Sequence, residues 1–389
     1  MYVTMLVHNT IGRGTFDRAH SLGRHLVRSG HTVTLFAGAS ARATPRHHFM
    51  NGVEVIEASD PLPARARESG LSPFDLVHRM RCVASRQCDV VHCFDHRPAV
   101  SFPGIRLARM KRAACIFDWA DLWGQNGIAG ERRPLARMSL GAIDHFLEQR
   151  VRRNADGLTV INSALRDHAH KHFRSPIHLL PVGASSDLIK PLPKMEMRKR
   201  FGLPEDRPIA VYTGLAPYDV AYLAEAFVRV LKQHPRALLV TSGRPFPMVD
   251  QIFKAAGYAD HLLCLGMLDR EALAAAMSSA DVLLLPYTNR PVNLFRYPNK
   301  LGDYLSVGRP VVTNATGDLG RLVIEEKVGF AVPDTTEAFA AAIARLFADR
   351  DLAEDIGRRG RCVAENKLDW RFLATGLERF YEQVVSSRS

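Results

Sequence analysis

The densest chemistry in the chain lies in Tyr297-Pro298-Asn299-Lys300-Leu301-Gly302-Asp303-Tyr304-Leu305-Ser306-Val307-Gly308-Arg309-Pro310-Val311-Val312. Pro298 suits the first turn of a helix, where its missing N–H costs nothing. Gly308 suits the helix end. Free N–H groups and the positive dipole end at such a start favour phosphate, and Lys300 adds a point charge. Asp303, three residues on, shares the face of Lys300. Its carboxylate can accept hydrogen bonds from two neighbouring hydroxyls, as on a ribose. The spacing thus suits a helix that holds the diphosphate and the ribose of a nucleotide, and it equally suits a surface Lys–Asp pair. A second set of reactive types lies in the first half. Asp118 and Asp121 flank Trp119 in a strand-end loop, and His8 and His96 lie near strand ends. A carboxylate or imidazole there is a candidate base toward a hydroxyl, although Asp also caps loops by bonding local backbone. His168 and His172 have i, i+4 spacing, but no H-E-x-x-H or acidic partner accompanies them, so they read as an exposed basic helix face. Asp349-Arg350-Asp351 matches a D-x-D metal motif in letters alone, because it sits in helical sequence. No metal site is expected.

These residues need a scaffold, and the apolar pattern supplies one. Val3–Val7 is a short strand, Gly12-Arg13-Gly14 a flexible loop, and Thr15 to Ser29 has helical spacing. Gly30 ends that helix and His31–Phe36 is the next strand, which makes a βαβ unit of a parallel sheet. Further strands are expected at 53–56, 90–93, 114–117 and 157–161. A second series begins near residue 208, with strands at 209–213, 237–241, 262–265, 282–285, 311–312 and 330–332, and helices at 222–233 and 271–279. Two such runs predict an α/β protein of two doubly wound Rossmann-like domains. The Pro- and Gly-punctuated stretch 180–193 is the expected linker. The domains are expected at 1–182 and 183–369. Ligands in such folds sit outside the carboxyl ends of the strands, so a cleft is the expected site. The glycines that follow strands, Gly14, Gly214, Gly243 and Gly266, are where backbone can approach a ligand closely.

Composition narrows the class. The chain has 389 residues, 47% of them hydrophobic and 24% charged, as in ordinary globular proteins. No apolar run reaches bilayer-spanning length. The start enters a strand pattern at once, without a charged n-region or cleavage site, so a cytoplasmic protein is expected. The six cysteines form no CxxC pair and are expected to be reduced thiols. The net charge of +12 is uneven: residues 1–190 carry 26 Lys/Arg against 16 Asp/Glu, and the rest 26 against 24. A basic first half suggests an anionic partner, such as a phosphorylated lipid, an acidic membrane surface or a charged glycan; simple solubility charge is the competing account. No recognition motif accompanies the charge, so nucleic acid is not an expected partner.

The segment 297–312 resembles the nucleotide-sugar signature of GT-B glycosyltransferases of family 4, in a variant reading P-N-K-x-x-[ED]-Y-x-x-x-G-x-P-V-V. The resemblance extends over most of the chain. Gly12–Gly14 with Gly30-His31-Thr32-Val33 is similar to the family's opening. Asp118-Trp119-Ala120-Asp121-Leu122-Trp123-Gly124 resembles its acceptor-side loop, Ser279–Pro286 its A-D-V-x-x-x-P strand, and Trp370–Val385 its final helix, which packs back on the first domain. The resemblance implies transfer of a sugar from a nucleoside-diphosphate sugar, with retention and without a cofactor or essential metal. The acceptor it implies is a glycan, a lipid-linked sugar or a small molecule, with peripheral contact at the inner face of the membrane if that acceptor is lipid-bound. It implies the ribose role for Asp303. Lys300 and Arg296 are the candidates for the diphosphate, Gly14, Gly214, Gly243 and Gly266 for close approach to the donor, and Asp121, Asp118 and His96 for catalysis. Three positions depart from the family pattern: Phe295 replaces the first acid of E-x7-E, Leu215 an arginine, and Ala120 a histidine. A sugar-nucleotide epimerase on the same fold and a non-catalytic nucleotide-sugar-binding protein are the alternatives; acceptor-dependent release of nucleoside diphosphate separates them from a transferase.

Overall fold

The computed structural model describes residues 1–39, 45–124, 127–132, 134–214 and 218–388. The chain divides into two compact units. The first is Met1–Val182 with Phe295–Tyr297 and Trp370–Ser389, and the second is Gly183–Leu294 with Pro298–Asp369.

Among the described residues the first unit builds one eight-stranded sheet. Its strands are β1 (Tyr2–Leu6), β2 (Thr32–Ala37), β3 (Arg46–Met50), β4 (Val53–Glu57), β5 (Val90–Cys93), β6 (Ala114–Trp119), β7 (Gly157–Val160) and β8 (Ile177–Leu179). Their order is β3-β4-β2-β1-β5-β6-β7-β8. β3 pairs antiparallel with β4, and the other pairs are parallel. Strands covered by helices on both faces must be apolar throughout, which is why Val3, Met5, Val33, Leu35, Val90, Val91, Ile116 and Phe117 are all buried. β3 reads Arg-His-His-Phe-Met and is largely exposed at the sheet edge. The helix Trp370–Ser386 belongs to this unit and packs on the helix Thr15–Arg28. A Cβ at position 157 beneath it would lie 2.9 Å from the Phe380 ring, so any larger residue there would have to displace that ring.

The second unit builds a six-stranded parallel sheet from β9 (Ile209–Gly214), β10 (Leu238–Gly243), β11 (Leu262–Cys264), β12 (Val282–Leu285), β13 (Val311–Asn314) and β14 (Gly329–Val332). The order is β11-β10-β9-β12-β13-β14. Its core centres on Phe227, Leu231, Phe253 and Phe339, with Phe227 and Phe253 stacked at 6.1 Å.

In both sheets the strand order reverses beside the first strand, at β1/β5 and at β9/β12. The crevice outside the carboxyl ends at such a reversal is where doubly wound sheets bind ligands. Residues that follow β1, β5 and β6, and those that follow β9, β10 and β12, are therefore placed to act.

Candidate active site

In the second unit, three of the expected glycines come together. Gly214 ends β9 opposite Gly243, which ends β10. Gly243 has φ +116°, and a Cβ there would sit 2.0 Å from the Gly214 carbonyl, so no other residue fits. Its N–H donates to the Gly266 carbonyl at 2.8 Å. The result is a floor of bare backbone at the strand ends. Lys300 reaches this floor. Its Nζ donates to the Thr213 carbonyl at 2.5 Å and stands 4.2 Å from the centre of the Tyr212 ring. A Cβ on Gly214 would lie 3.0 Å from that same Nζ.

The helix carrying Lys300 is shorter than its sequence suggests. It runs Lys300–Ser306, with Asn299 before it and no side-chain cap, so Pro298 lies outside rather than in the first turn. Gly308 follows with φ +67°, as expected for a helix end. Tyr304 anchors the helix: its hydroxyl donates to the Leu284 carbonyl at 3.2 Å and accepts the Thr213 N–H at 3.0 Å. Gly302 lets the helix approach the chain after Val182, since a Cβ would meet the Gly183 carbonyl at 2.5 Å. Asp303 stands half-buried, one turn from the Lys300 end.

Arg296 is the other diphosphate candidate. It groups with the first unit, where its carbonyl accepts the Asn162 side-chain amide at 3.0 Å. Its guanidinium favours the ionised form of Asp121. Leu215 lies outside the described residues.

The first unit gathers its candidates around the ends of β1, β5 and β6. Gly14 precedes the helix Thr15–Arg28 with φ +47°, and a Cβ would press to 2.6 Å from Asn9 Oδ1. That oxygen accepts from the Thr15 N–H and hydroxyl at 2.9 and 2.7 Å. After β5, Asp95 lies between two imidazoles, 2.8 Å from His8 Nδ1 and 3.1 Å from His96 Nδ1, and accepts from Arg97 Nη1 at 2.8 Å. Burial alone would raise the Asp95 carboxyl, but Arg97, His8 and His96 outweigh it and hold it well below the usual range. Burial lowers the His8 pKa, against the pull of the Asp95 carboxylate. His96 is buried, with Nε2 3.6 Å from Asp144, which Arg132 also reaches at 2.8 Å.

The two aspartates after β6 differ sharply. Asp118 is 1% exposed and accepts bidentately from Arg18 at 3.0 and 3.0 Å, and from the Thr159 hydroxyl at 2.6 Å. Both Asp118 oxygens are therefore engaged inside the fold. Asp121 lies further out. Burial pushes its carboxyl up to about 7, against the pull of Arg296, with Asp95 and Glu148 adding to the rise. A carboxyl of that kind changes charge near neutrality, as a proton acceptor at pH 7 must.

Glu148, which the sequence does not single out, shapes the Asp121 loop. It is fully buried and accepts from Trp119 Nε1 and from the backbone N–H groups of Trp123 and Gly124, all within 2.8–2.9 Å. Trp123 then presents its ring to Arg97, whose guanidinium lies 4.1 Å from the ring centre. The rings of His168 and His172 lie 4.6 Å apart at a tilt of 49°; His168 packs edge-on against Trp119 and Phe295, while His172 is exposed, as expected of a helix face. Asp349 of the D-x-D letters caps the helix Arg350–Asn366 by accepting the Leu352 N–H. The six cysteines are free thiols.

Residues 13–183 match the family model of the glycosyl transferase 4-like domain, and residues 207–349 match that of the glycosyl transferases group 1. The two matches fall on the two units in turn and together cover most of the chain, which is a glycosyltransferase of GT-B type. The GDP-mannose-dependent alpha-(1-6)-phosphatidylinositol monomannoside mannosyltransferase of Mycobacterium tuberculosis is 25% identical over 317 residues, covering 73% of this chain and 82% of that protein. The glycogen synthase of the same species is 23% identical over 396 residues, covering 95% and 90%. Among solved structures, sucrose-phosphate synthase from Thermosynechococcus elongatus superposes with a TM-score of 0.80 at 20% identity, covering 100% of both chains; at that identity the likeness speaks for the fold. Among the described residues no helix is long and apolar enough to cross a membrane.

Proposed function

We propose that the chain transfers a sugar from a nucleoside-diphosphate sugar to an acceptor, with the diphosphate against Lys300 and the glycine floor, and the ribose on Asp303. The observation that carries this reading is the convergence of Lys300, Gly214, Gly243 and Gly266 at the strand ends of the second unit. A lysine over bare backbone supplies charge and close approach together, which a diphosphate needs. In the transfer the anomeric C–O bond to the diphosphate breaks, a bond to the acceptor oxygen forms, and the acceptor hydroxyl loses its proton. Asp121, whose carboxyl changes charge near neutrality, is the group in the first unit suited to hold that hydroxyl and take its proton. Retention and independence of metal belong to the same proposal and rest on the family resemblance.

A panel of nucleoside-diphosphate sugars in a thermal-shift assay identifies the donor, since a ligand that binds only the native state raises the melting temperature. With that donor, Asp303→Ala is expected to weaken binding by about 1.5–3 kcal/mol, the worth of charged hydrogen bonds. Unchanged affinity in calorimetry removes Asp303 from the site. Turnover in the same assay is expected to survive EDTA, and complete loss restored by Mg²⁺ overturns the metal-free part.

The acceptor is proposed to be anionic or to sit at an anionic membrane. The basic runs Arg106–Arg112 and Arg150–Arg153 meet on one surface of the first unit, around the exposed Phe102 and Met110. Basic residues near an acidic bilayer contribute about 1 kcal/mol each, screened within roughly a Debye length. Sedimentation with acidic vesicles is expected to fall with salt and with charge reversal in these runs. Equal binding to neutral vesicles points to a neutral soluble acceptor instead.

A further inference from the structure

The second unit has another opening, at the strand ends opposite Gly214 and Lys300. Pro208, Asp281 and Pro310, which immediately precede β9, β12 and β13, all line a cavity of about 600 Å³. The helix Lys194–Arg200, the end of the helix Thr336–Ala348 and the start of the helix Arg350–Asn366 form the remaining walls. Seven Lys and Arg side chains line this space against three acidic ones. Asp281 is already shared by Lys194 at 2.8 Å and Arg198 at 2.7 Å. Among the described residues, Arg309 and Arg350 have no carboxylate within ion-pair distance. Arg309 donates Nε and Nη2 to the Ser278 carbonyl alone, at 3.2 and 2.9 Å, and burial holds its guanidinium below its ordinary pKa. Arg350 is exposed on the cavity wall. Leu346 and Phe347 give the same cavity an apolar side.

Clustered guanidinium groups repel one another and suit planar or tetrahedral oxyanions through paired N–H donors. Arg358 and Arg361 pair with Asp355 and Glu365, so among the described residues the charge without a carboxylate partner is that of Arg207, Arg309 and Arg350, which matches a multiply charged anion better than a single carboxylate. A volume of about 600 Å³ lies in the range of pockets that enclose small organic ligands. We infer that this cavity is a second binding site, for a small phosphorylated metabolite whose phosphate lies on Arg309 and Arg350 and whose remaining part lies against Leu346 and Phe347. The site is separate from the donor site, since its residues precede the strands whose opposite ends carry Gly214 and Gly243.

Calorimetry with glucose 6-phosphate and inorganic pyrophosphate as probes tests this, with glucose and sodium chloride at matched ionic strength as controls. At least one phosphorylated probe is expected to bind and neither control. Arg350→Gln, at an exposed position, is expected to weaken that binding about tenfold or more, the loss of charged hydrogen bonds. Arg309→Gln is expected to do the same and Arg309→Lys to retain part of it, which separates lost charge from lost folding. Lys300→Ala is expected to leave it unchanged. The inference fails if neither phosphorylated probe binds at millimolar concentration. It fails equally if binding disappears in Lys300→Ala yet persists in the Arg309 and Arg350 variants, because the probe then occupies the donor site.

Discussion

Asp121→Asn is expected to lower turnover by about 10²- to 10⁴-fold, the range for removing a positioned proton acceptor. Nucleotide binding should be kept, because Lys300, Gly214 and Gly243 lie in the other unit. The pH profile is the sharper readout. With a carboxyl pushed up to about 7, the wild-type rate should rise with pH through that value as Asp121 ionises, and the residual rate of Asp121→Asn should lose that limb. Stability should move the opposite way. The folded chain keeps the Asp121 proton up to about pH 7, whereas the unfolded chain releases it near 4. Asp121 therefore costs nothing below about pH 4, and its penalty grows between the two values and is complete above 7. The full shift corresponds to about 4 kcal/mol. Asp121 keeps part of its surface open, and solvent screening reduces this to about 1–2 kcal/mol. Asp121→Asn should thus be more stable than wild type at pH 8 and equal to it at pH 4. A variant that keeps full turnover, or that gains no stability at pH 8, shows Asp121 to be an ordinary solvated loop carboxylate.

The features read correctly from sequence are those whose cause is local. Strands of a parallel sheet are continuous apolar runs, so β1, β5 and β9 appear in the letters close to their observed bounds. β3 has no such run, because an antiparallel edge strand needs little burial, and β8 is three residues long. The left-handed turns at Gly243, Gly266 and Gly308 are also local, since turn conformation acts over a few residues, whereas Pro298 lies outside the helix it was expected to begin. The first-unit site was legible only in part. Asp118 and Asp121 look alike in sequence, and what separates them is Arg18, 100 residues before Asp118. Glu148 reads as one acid among the polar residues of a helix, and its role comes from folding back on a loop 24–29 residues earlier. Arg296 sits within the motif yet belongs with the first unit, a placement that depends on Asn162 and Asp121 rather than on its neighbours in sequence.

The buried partner of Asp118 carries the other large expected effect. Arg18 is 4% exposed, and it donates four hydrogen bonds, two to Asp118 and one each to the carbonyls of Leu180 and Pro181 at 2.5 and 2.8 Å. From Asp118 the chain of bonds continues through the Thr159 hydroxyl to His92 Nε2 at 3.1 Å, and from His92 Nδ1 to the Tyr381 hydroxyl at 2.7 Å. One network thus joins the helix Thr15–Arg28, β6, β7, β5 and the helix Trp370–Ser386. Burial holds His92 down to about 3, so it stays neutral and can both donate and accept within this chain. Arg18→Ala would leave the Asp118 carboxylate buried without its cation and two carbonyls without a donor. Breaking a buried pair from one side costs about 3–5 kcal/mol, and the midpoint of urea unfolding of the first unit should fall accordingly. Replacing both partners, as Arg18→Met with Asp118→Leu, should recover much of that loss, because the penalty comes from the orphaned charge and not from the absence of the pair. Catalytic constants of the double variant, measured below its unfolding transition, separate the two roles available to Asp118. Turnover close to wild type assigns it to holding the fold. Loss as deep as that of Asp121→Asn, in a chain that has regained its stability, would return Asp118 to the chemistry.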